Sequence, residues 1–271
     1  MIDTTVKVAD KLVGEYDIIP NPWIKEFYNE NQELVSVEFH GITKIRNHAF
    51  NSCTNLALTS LPEGITSIDD YAFYSCTSLA LTSLPTGVTS IGSAAFYSCK
   101  SLSLMSLPEG LTSIADGAFV DCTNLALTSL PEGLTSIGAG AFNSCTNLAL
   151  TSLPNGITSI DENAFQVCTS LALTSLPEGL TSIGAGAFNS CINLALTSLP
   201  EGLTTISFGA FKNCTSLTSI TFKGTPTTIE SSAFSGCTNL TEIKVPWSEG
   251  AVSGAPWGAT NATITYNYVG E

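Results

Sequence analysis

The sequence repeats itself every 23 residues over most of its length. Nine cysteines lie 23 residues apart, and a Phe preceded by Ala, an Ile and a Leu keep the same period. The cysteines occupy positions 53, 76, 99, 122, 145, 168, 191, 214 and 237. A fixed period of this size predicts a solenoid, in which each repeat forms one coil that stacks on the next.

One coil, running from Cys to Cys, divides into strand-like segments and corners. Leu148, Leu150 and Leu153 favour a short strand. Pro154 and Gly156 then predict a corner, because proline presets φ and glycine admits a positive φ.

The second half of the coil supplies more apolar residues. Ile157 and Ile160 are expected to point inward from a second extended segment, and Ala164 and Phe165 to fill the last corner. One coil cannot bury these side chains alone, so stability is expected to come from stacking.

Composition excludes several functions. Lys and Arg number 9 against 23 Asp and Glu, a net charge of −14, which argues against nucleic acid or an anionic membrane surface as partner. No apolar run approaches the ~18 residues of a membrane span. The segment that begins at Met1 has no signal-peptide pattern, so we expect no secretion on a signal of its own.

The repeat follows the pattern Cys-x-x-Leu-x-x-Ile-x-Leu-Pro-x-x-Leu-x-x-Ile-Gly-x-x-Ala-Phe. This pattern resembles the treponemal-type, or BspA-like, leucine-rich repeats, over about 34–243. The resemblance implies a leucine-rich-repeat solenoid of about ten parallel β coils. It also implies a surface protein that binds host matrix proteins or other cells.

The middle coils depart from the family pattern. Leu217-x-x-Ile220-x-Phe222 keeps the expected strand, as does the segment that starts at Leu34. The seven coils between them read Leu-x-Leu-x-x-Leu, so the middle apolar residue has moved by one position. Because such a shift turns side chains to the other face, the strand register there stays open.

Both ends of a solenoid expose apolar edges that need caps. Residues 1–33 are predicted as the N-terminal cap, with a short helix from Val6 to Tyr16. Residues 34–245 form the solenoid, with its last strand from Ile243 to Val245. Residues 246–271 are predicted as a C-terminal cap with a terminal strand in 262–268.

The C-terminal segment carries a second resemblance. Its sequence Val-Pro-Trp-Ser-Glu-Gly-Ala-Val, followed by Ala-Pro-Trp-Gly-Ala-Thr-Asn-Ala-Thr-Ile, is similar to the ends of repeat proteins encoded in phage and prophage tail regions of gut Firmicutes. That origin would account for the missing signal peptide, since virions leave the cell by lysis.

The cysteines are predicted to be buried free thiols. Equivalent positions stack about one strand spacing (~4.8 Å) apart with their side chains parallel, which suits disulfide geometry poorly. The sequence has no Cys-x-x-Cys pair.

No catalytic site, metal site or cofactor is predicted. His40 and His48, the two histidines, are expected at the surface, and 49–271 contains none. Two carboxylate pairs, at 69–70 and 161–162, are interpreted as solvated corners rather than calcium ligands. Nucleotide-binding and hydrolase motifs are absent, so we expect no enzyme.

Charge and aromatic residues mark two surfaces. The span 101–211 contains acids but no Lys or Arg, which gives an acidic stripe that serves solubility or a cationic partner. Tyr71, Tyr74 and Tyr97, here called the tyrosine cluster, fall on neighbouring coils. They are the candidate ligand-binding residues, although filling a shallow groove would also explain them.

Three functions compete. The favoured one is a non-catalytic adhesion module, on a bacterial surface or a phage tail, whose partner is a protein or glycan on a cell surface, outside the cell and without membrane insertion. A structural spacer rod is the second, because the coils are nearly identical. The third is an ice-binding-like array of threonines, against which Met105 and the Thr-Ser order count.

Overall fold

The computed structural model describes residues 6–8, 24–29 and 31–270. Within these residues the regular secondary structure is all β. The strands are β1 Val6–Val8, β2 Ile24–Tyr28, β3 Leu34–Phe39, β4 Lys44–Ile45, β5 Ser67–Ile68, β6 Ser90–Ile91, β7 Ser113–Ile114, β8 Ser136–Ile137, β9 Ser159–Ile160, β10 Ser182–Ile183, β11 Ser198–Leu199, β12 Thr205–Ile206, β13 Ser219–Phe222, β14 Thr228–Ile229, β15 Glu242–Lys244 and β16 Thr263–Thr265. In the described part of the chain, no helix has the length and apolar character to cross a membrane.

The N-terminal strands form a small antiparallel sheet. Its order is β1-β2-β3, with an irregularity in β2 between Phe27 and Tyr28. The predicted helix from Val6 to Tyr16 is therefore wrong at its start, where Val6–Val8 pairs as a strand. The remainder of that prediction lies outside the described residues.

The rest of the chain is a parallel β-solenoid of about ten coils, as predicted. Short Ser-Ile or Thr-Ile strands recur once per coil and pair in parallel with a register of 23 residues, as in Ile183 with Ile160 and Ile206 with Ile183. This column consists of strands β4 to β10, β12 and β14, whereas β11 and β13 belong to another sheet.

A column of nine phenylalanines fills one side of the core. Each ring stacks on the ring of the next coil, with centroids 5.1–5.6 Å apart and planes within 11°. Phe165 is fully buried, and so are Ile157, Ile160 and Ala164 of the same coil. The predicted inward positions of this coil are confirmed.

Six of the seven Leu-x-Leu-x-x-Leu segments contain no strand, and the seventh contains only the two-residue β11. Leu148, Leu150 and Leu153 are buried, but Thr151 and Ser152 between them are both exposed. A strand alternates its faces residue by residue, so two outward residues in succession break it. The predicted strand there is wrong, although its three leucines do face the core.

The coil that contains β13 follows the family pattern instead and forms a regular strand at this place. In β13, Ser219 and Thr221 are partly exposed, while Ile220 and Phe222 are buried. This strict alternation allows regular pairing in the order β11-β13-β15-β16. Where the residues at the third and fourth positions are exchanged, a coil carries a strand here only at β11, Ser198–Leu199, which pairs with β13.

The Pro-x-Gly corner forms for a different reason than predicted. The N–H of Ile157 donates to the carbonyl of Pro154, which closes the turn. Gly156, however, has no positive φ. A Cβ there would lie 3.0 Å from the carbonyl oxygen of Leu134, so the glycine permits close approach of two coils.

Left-handed residues make the opposite corner. Each coil has two of them, four residues apart, such as Asn163 (φ 54°) and Val167 (φ 59°). The first set comprises His48, Tyr71, Ala94, Gly117, Gly140, Asn163, Gly186, Gly209 and Ser232, and the second Ser52, Ser75, Ser98, Asp121, Ser144, Val167, Ser190, Asn213 and Gly236. A non-glycine residue in this region costs roughly 1–2 kcal/mol, most of all when it is β-branched.

The cysteines form the predicted column of free thiols, with one exception. From Cys76 onward each thiol is buried and donates to the Phe carbonyl oxygen 26 residues earlier, for example to Phe50 at 2.9 Å. Burial raises the pKa of all nine thiols, that of Cys191 to about 12. Cys53, at the start of the column, is only partly buried, and its pKa is raised to about 11.

The C-terminal segment adds one more coil. β16 pairs in parallel with β15, so β15 is not the last strand of the stack, contrary to prediction. The carbonyl of Trp257 accepts the N–H of Phe234, the position that Ala takes in the repeats. Trp257 is 1% exposed, and its ring packs near Phe222 and Trp247.

Among the described residues, Val167 is the one β-branched residue at a left-handed position. Val167→Asn should raise the free energy of unfolding by about 1 kcal/mol, because asparagine tolerates this conformation. Asn213 already occupies the equivalent position. Urea unfolding measures the change. Val120→Asn, which lies outside the left-handed set, is the control and should give no gain.

Phe165 tests the core. Phe165→Ala should cost ~3–5 kcal/mol of stability through lost burial and a cavity. Gln166→Ala should cost about 0.5 kcal/mol, because it removes one partly exposed hydrogen bond with Asn143. Similar losses at the two positions in chemical denaturation would contradict the inward placement of the ring.

Thiol labelling tests the cysteine column. In the native protein only Cys53 should react with a thiol reagent, and slowly at neutral pH, because the raised pKa keeps little thiolate. In denaturant, mass spectrometry should count nine labels. Intact disulfides, or fast native labelling of several cysteines, would refute the buried column.

Candidate functional site

The structure brings the tyrosine cluster together. The rings of Tyr74 and Tyr97 stack with centroids 4.7 Å apart and planes 14° apart. The ring of Tyr71 lies 5.8 Å from that of Tyr74 at a tilt of 49°. Tyr71 is 38% exposed, and the other two are partly exposed. The cluster is therefore a continuous, partly exposed aromatic surface over two coils.

His48 extends this surface by one coil. Its ring lies parallel to that of Tyr71, with centroids 4.8 Å apart and planes 2° apart. Its predicted surface position is confirmed, but the sequence did not assign it to the cluster. The available signal was its position, 23 residues before Tyr71 in the same row of the repeat.

A short chain of hydrogen bonds orients the His48 ring. Ser52 Oγ donates to Asn51 Oδ1 at 2.8 Å, which turns the amide nitrogen of Asn51 toward the histidine. Asn51 Nδ2 lies 3.1 Å from His48 Nδ1. With Nδ1 as the acceptor, the neutral imidazole carries its hydrogen on Nε2.

The backbone beneath the cluster is held by hydrogen bonds to the next coil. The N–H groups of Tyr71, Phe73 and Ser75 donate to carbonyls of the following coil at 2.7–2.9 Å, and those of Tyr74 and Cys76 close turns within their own coil. The seven corners that begin between His48 and Gly186 all have this arrangement. The aromatic rings therefore project from a corner with little backbone freedom.

Charged groups around the cluster are balanced. Lys100 Nζ lies 3.4 Å from Asp121 Oδ2, so this lysine does not add an isolated positive charge. Asp70 accepts the N–H of Ser93 at 2.7 Å and links two coils. Lys44 lies in β4. The cluster thus has an amphipathic rather than a strongly charged setting.

In the pair at 69–70, Asp70 has a structural role, because it accepts the backbone N–H of Ser93 in the next coil. Asp116 belongs to neither pair, but it lies at the same place in its own coil as Asp70 and accepts the N–H of Ala139 in the same way. Across the residues that the structure describes, no group of three His, Cys, Asp or Glu side chains is placed to hold a metal ion.

The acidic stripe lies on the Pro-Glu-Gly corners, far along the coil from the tyrosines. Its corner glutamates are exposed: Glu109, Glu132, Glu178 and Glu201. Glu178 pairs with Lys223 at 2.6 Å, across two coils. A basic residue of the chain itself thus pairs with one glutamate of the stripe.

Comparison with solved structures gives bacterial leucine-rich repeat proteins. A leucine-rich repeat protein of T. pallidum is 28% identical to this chain, with a TM-score of 0.52. The match covers 66% of this chain and 91% of the T. pallidum protein. A leucine-rich cell surface protein of Faecalibacterium prausnitzii is 23% identical to this chain, with a TM-score of 0.50. The match covers 92% of this chain and 94% of that protein, which shows a shared fold. No curated protein sequence is significantly similar to the chain.

The model of the BspA-type leucine-rich repeat region matches residues 24–149 and 135–252, in six copies. These two matches span most of the solenoid and include every coil of the phenylalanine column. The chain belongs to the BspA-type leucine-rich repeat family.

Proposed function

We propose that this chain is a non-catalytic recognition and adhesion module that binds a partner on a cell surface, outside the cell. The observation that carries the proposal is the tyrosine cluster, with His48, on corners locked by hydrogen bonds. Membership of the BspA-type family supports it, as does the fold shared with a cell surface protein.

The chemistry of the cluster favours a protein partner. The rings stack on one another along the solenoid, so outward they offer mainly edges and hydroxyl groups rather than open faces. Ser52, Ser75 and Ser98 lie on the same corners. Tyrosine, serine and asparagine on a rigid frame resemble an antibody paratope, where aromatic side chains supply contact area at low entropic cost. A glycan partner is the alternative.

The finer assignment to a phage tail rests on the C-terminal segment alone. A virion receptor binder would use the same tyrosine cluster, with 246–271 joining the solenoid to its neighbours. We also propose residues 1–33 and 246–271 as the two caps. The burial of Trp257 and Trp247 over the last repeat supports the second of these.

The spacer rod stays the second candidate, because the coils between Leu56 and Pro200 repeat one another so closely. A rod of about ten coils is roughly 50 Å long at ~4.8 Å per coil. As a spacer, the chain would bind nothing through the tyrosine cluster.

Binding screens distinguish the candidates. Purified chain applied to protein and glycan arrays should give a surface-protein hit, and exchange of Tyr71, Tyr74 and Tyr97 for Ala should weaken it at least tenfold. The melting temperature should change little, because these side chains lie outside the core. His48→Ala should weaken binding less.

Substitution of Glu109 and Glu132 by Gln is the matched control, on another face of the same coils, and should leave affinity unchanged. Unchanged affinity in the tyrosine variant, with loss on deleting 246–271, would move the site to the tail. No hit on either array would favour the spacer.

A further inference from the structure

One face of the middle coils leaves its polar groups without partners in the protein. In five of the seven Leu-x-Leu-x-x-Leu segments an exposed Thr and an exposed Ser follow the second Leu, and in a sixth Met105 replaces the Thr. We call six of these pairs the hydroxyl face: Thr59–Ser60, Thr82–Ser83, Met105–Ser106, Thr128–Ser129, Thr151–Ser152 and Thr174–Ser175.

Neither the backbone nor the side chains of these pairs form a hydrogen bond with residues 6–8, 24–29 or 31–270. Other threonine rows differ: Thr66, Thr135 and Thr181, for instance, donate their hydroxyls to the previous coil. Unbonded backbone groups persist only where solvent or a ligand satisfies them.

The sequence makes this face at a structural cost. In β13 the alternation of Ile220 and Phe222 gives a strand that pairs on both sides. In six of the seven middle coils the exchanged residues give up that pairing and turn two hydroxyls outward, or one where Met105 replaces the threonine. The residue-by-residue alternation of a strand is broken in the same way in coil after coil. Such a repeated departure indicates a role for the exposed groups.

The polar groups of the hydroxyl face indicate which kind of ligand it can bind. It carries N–H donors, carbonyl acceptors and hydroxyls that do both, and none of its residues is charged. The acidic stripe begins three residues later, at positions such as Glu132, and would repel an anionic polymer. A polymer rich in hydroxyls and without charge matches these groups.

The 23-residue repeat fixes the spacing of these groups along the solenoid. Six coils present these backbone and hydroxyl groups at ~4.8 Å intervals over roughly 25 Å, with the Thr hydroxyl missing only at Met105. A single hydroxyl contact gains little over water, so an occupant must make many at once. We propose that the hydroxyl face binds a linear, neutral polysaccharide that lies along the solenoid axis, a second site independent of the tyrosine cluster.

Affinity electrophoresis tests this with the full chain and three soluble neutral polysaccharides: mixed-linkage β-glucan, arabinoxylan and galactomannan. At least one should retard the protein, and polygalacturonate should not. In calorimetry with oligosaccharides cut from the retarding polymer, affinity should rise steeply with length and be undetectable for the monosaccharide.

The test variant replaces Thr128, Ser129, Thr151, Ser152, Thr174 and Ser175 by Ala and should lose at least tenfold in affinity. The matched control replaces Thr112, Thr135 and Thr158, which lie in another row, by Ala and should retain binding. Circular dichroism confirms folding of both.

Several results would overturn the proposal: no retardation by any neutral polymer, retardation by polygalacturonate alone, or equal losses in test and control variants. Inhibition of ice recrystallisation that only the test variant loses, without polysaccharide binding, would assign the face to ice instead. Binding at the tyrosine cluster is measured separately, so either site can fail alone.

Discussion

Stacking of identical side chains between coils is the interaction on which the whole structure depends. A single coil has an apolar interior but nothing to bury it against, whereas two coils cover each other's Phe, Leu, Ile and Cys residues. The phenylalanine rings, 5.1–5.6 Å apart, show how regular this contact is. Each coil therefore contributes to stability mainly through its two neighbours.

Hydrogen bonds between coils are unevenly distributed around the coil. The corners rich in them form a rigid frame, and the side chains that project from that frame form the surface. The corner that contains Phe73 donates three backbone N–H groups to the next coil and is held in left-handed conformations despite their cost. The thiol of Cys76 adds a bond to the same corner, through the carbonyl of Phe50. Side chains that project from this corner can vary, because the frame beneath them does not depend on them.

The period alone predicted the solenoid, the inward residues and the cysteine column, because equivalent positions must meet in a stack. It failed where local geometry depends on a neighbouring coil. Gly156 serves close approach rather than a positive φ, which only the position of Leu134 reveals. The tyrosines were found from their spacing. His48 was missed because a lone exposed histidine gives no sign of stacking until Tyr71 is placed beside it.

The two faces differ in the kind of partner that they can select. On the corner face, side chains change from coil to coil, so a partner bound there would have to match one particular place along the solenoid, and we propose the stacked rings of His48 and the tyrosines as that place. On the face of Thr151 and Ser152 every coil offers nearly the same groups, so no coil is distinguished from the next. Only a partner with its own repeat gains from such uniformity, because each added unit finds the same contacts. One solenoid can thus combine a specific contact with an extended one.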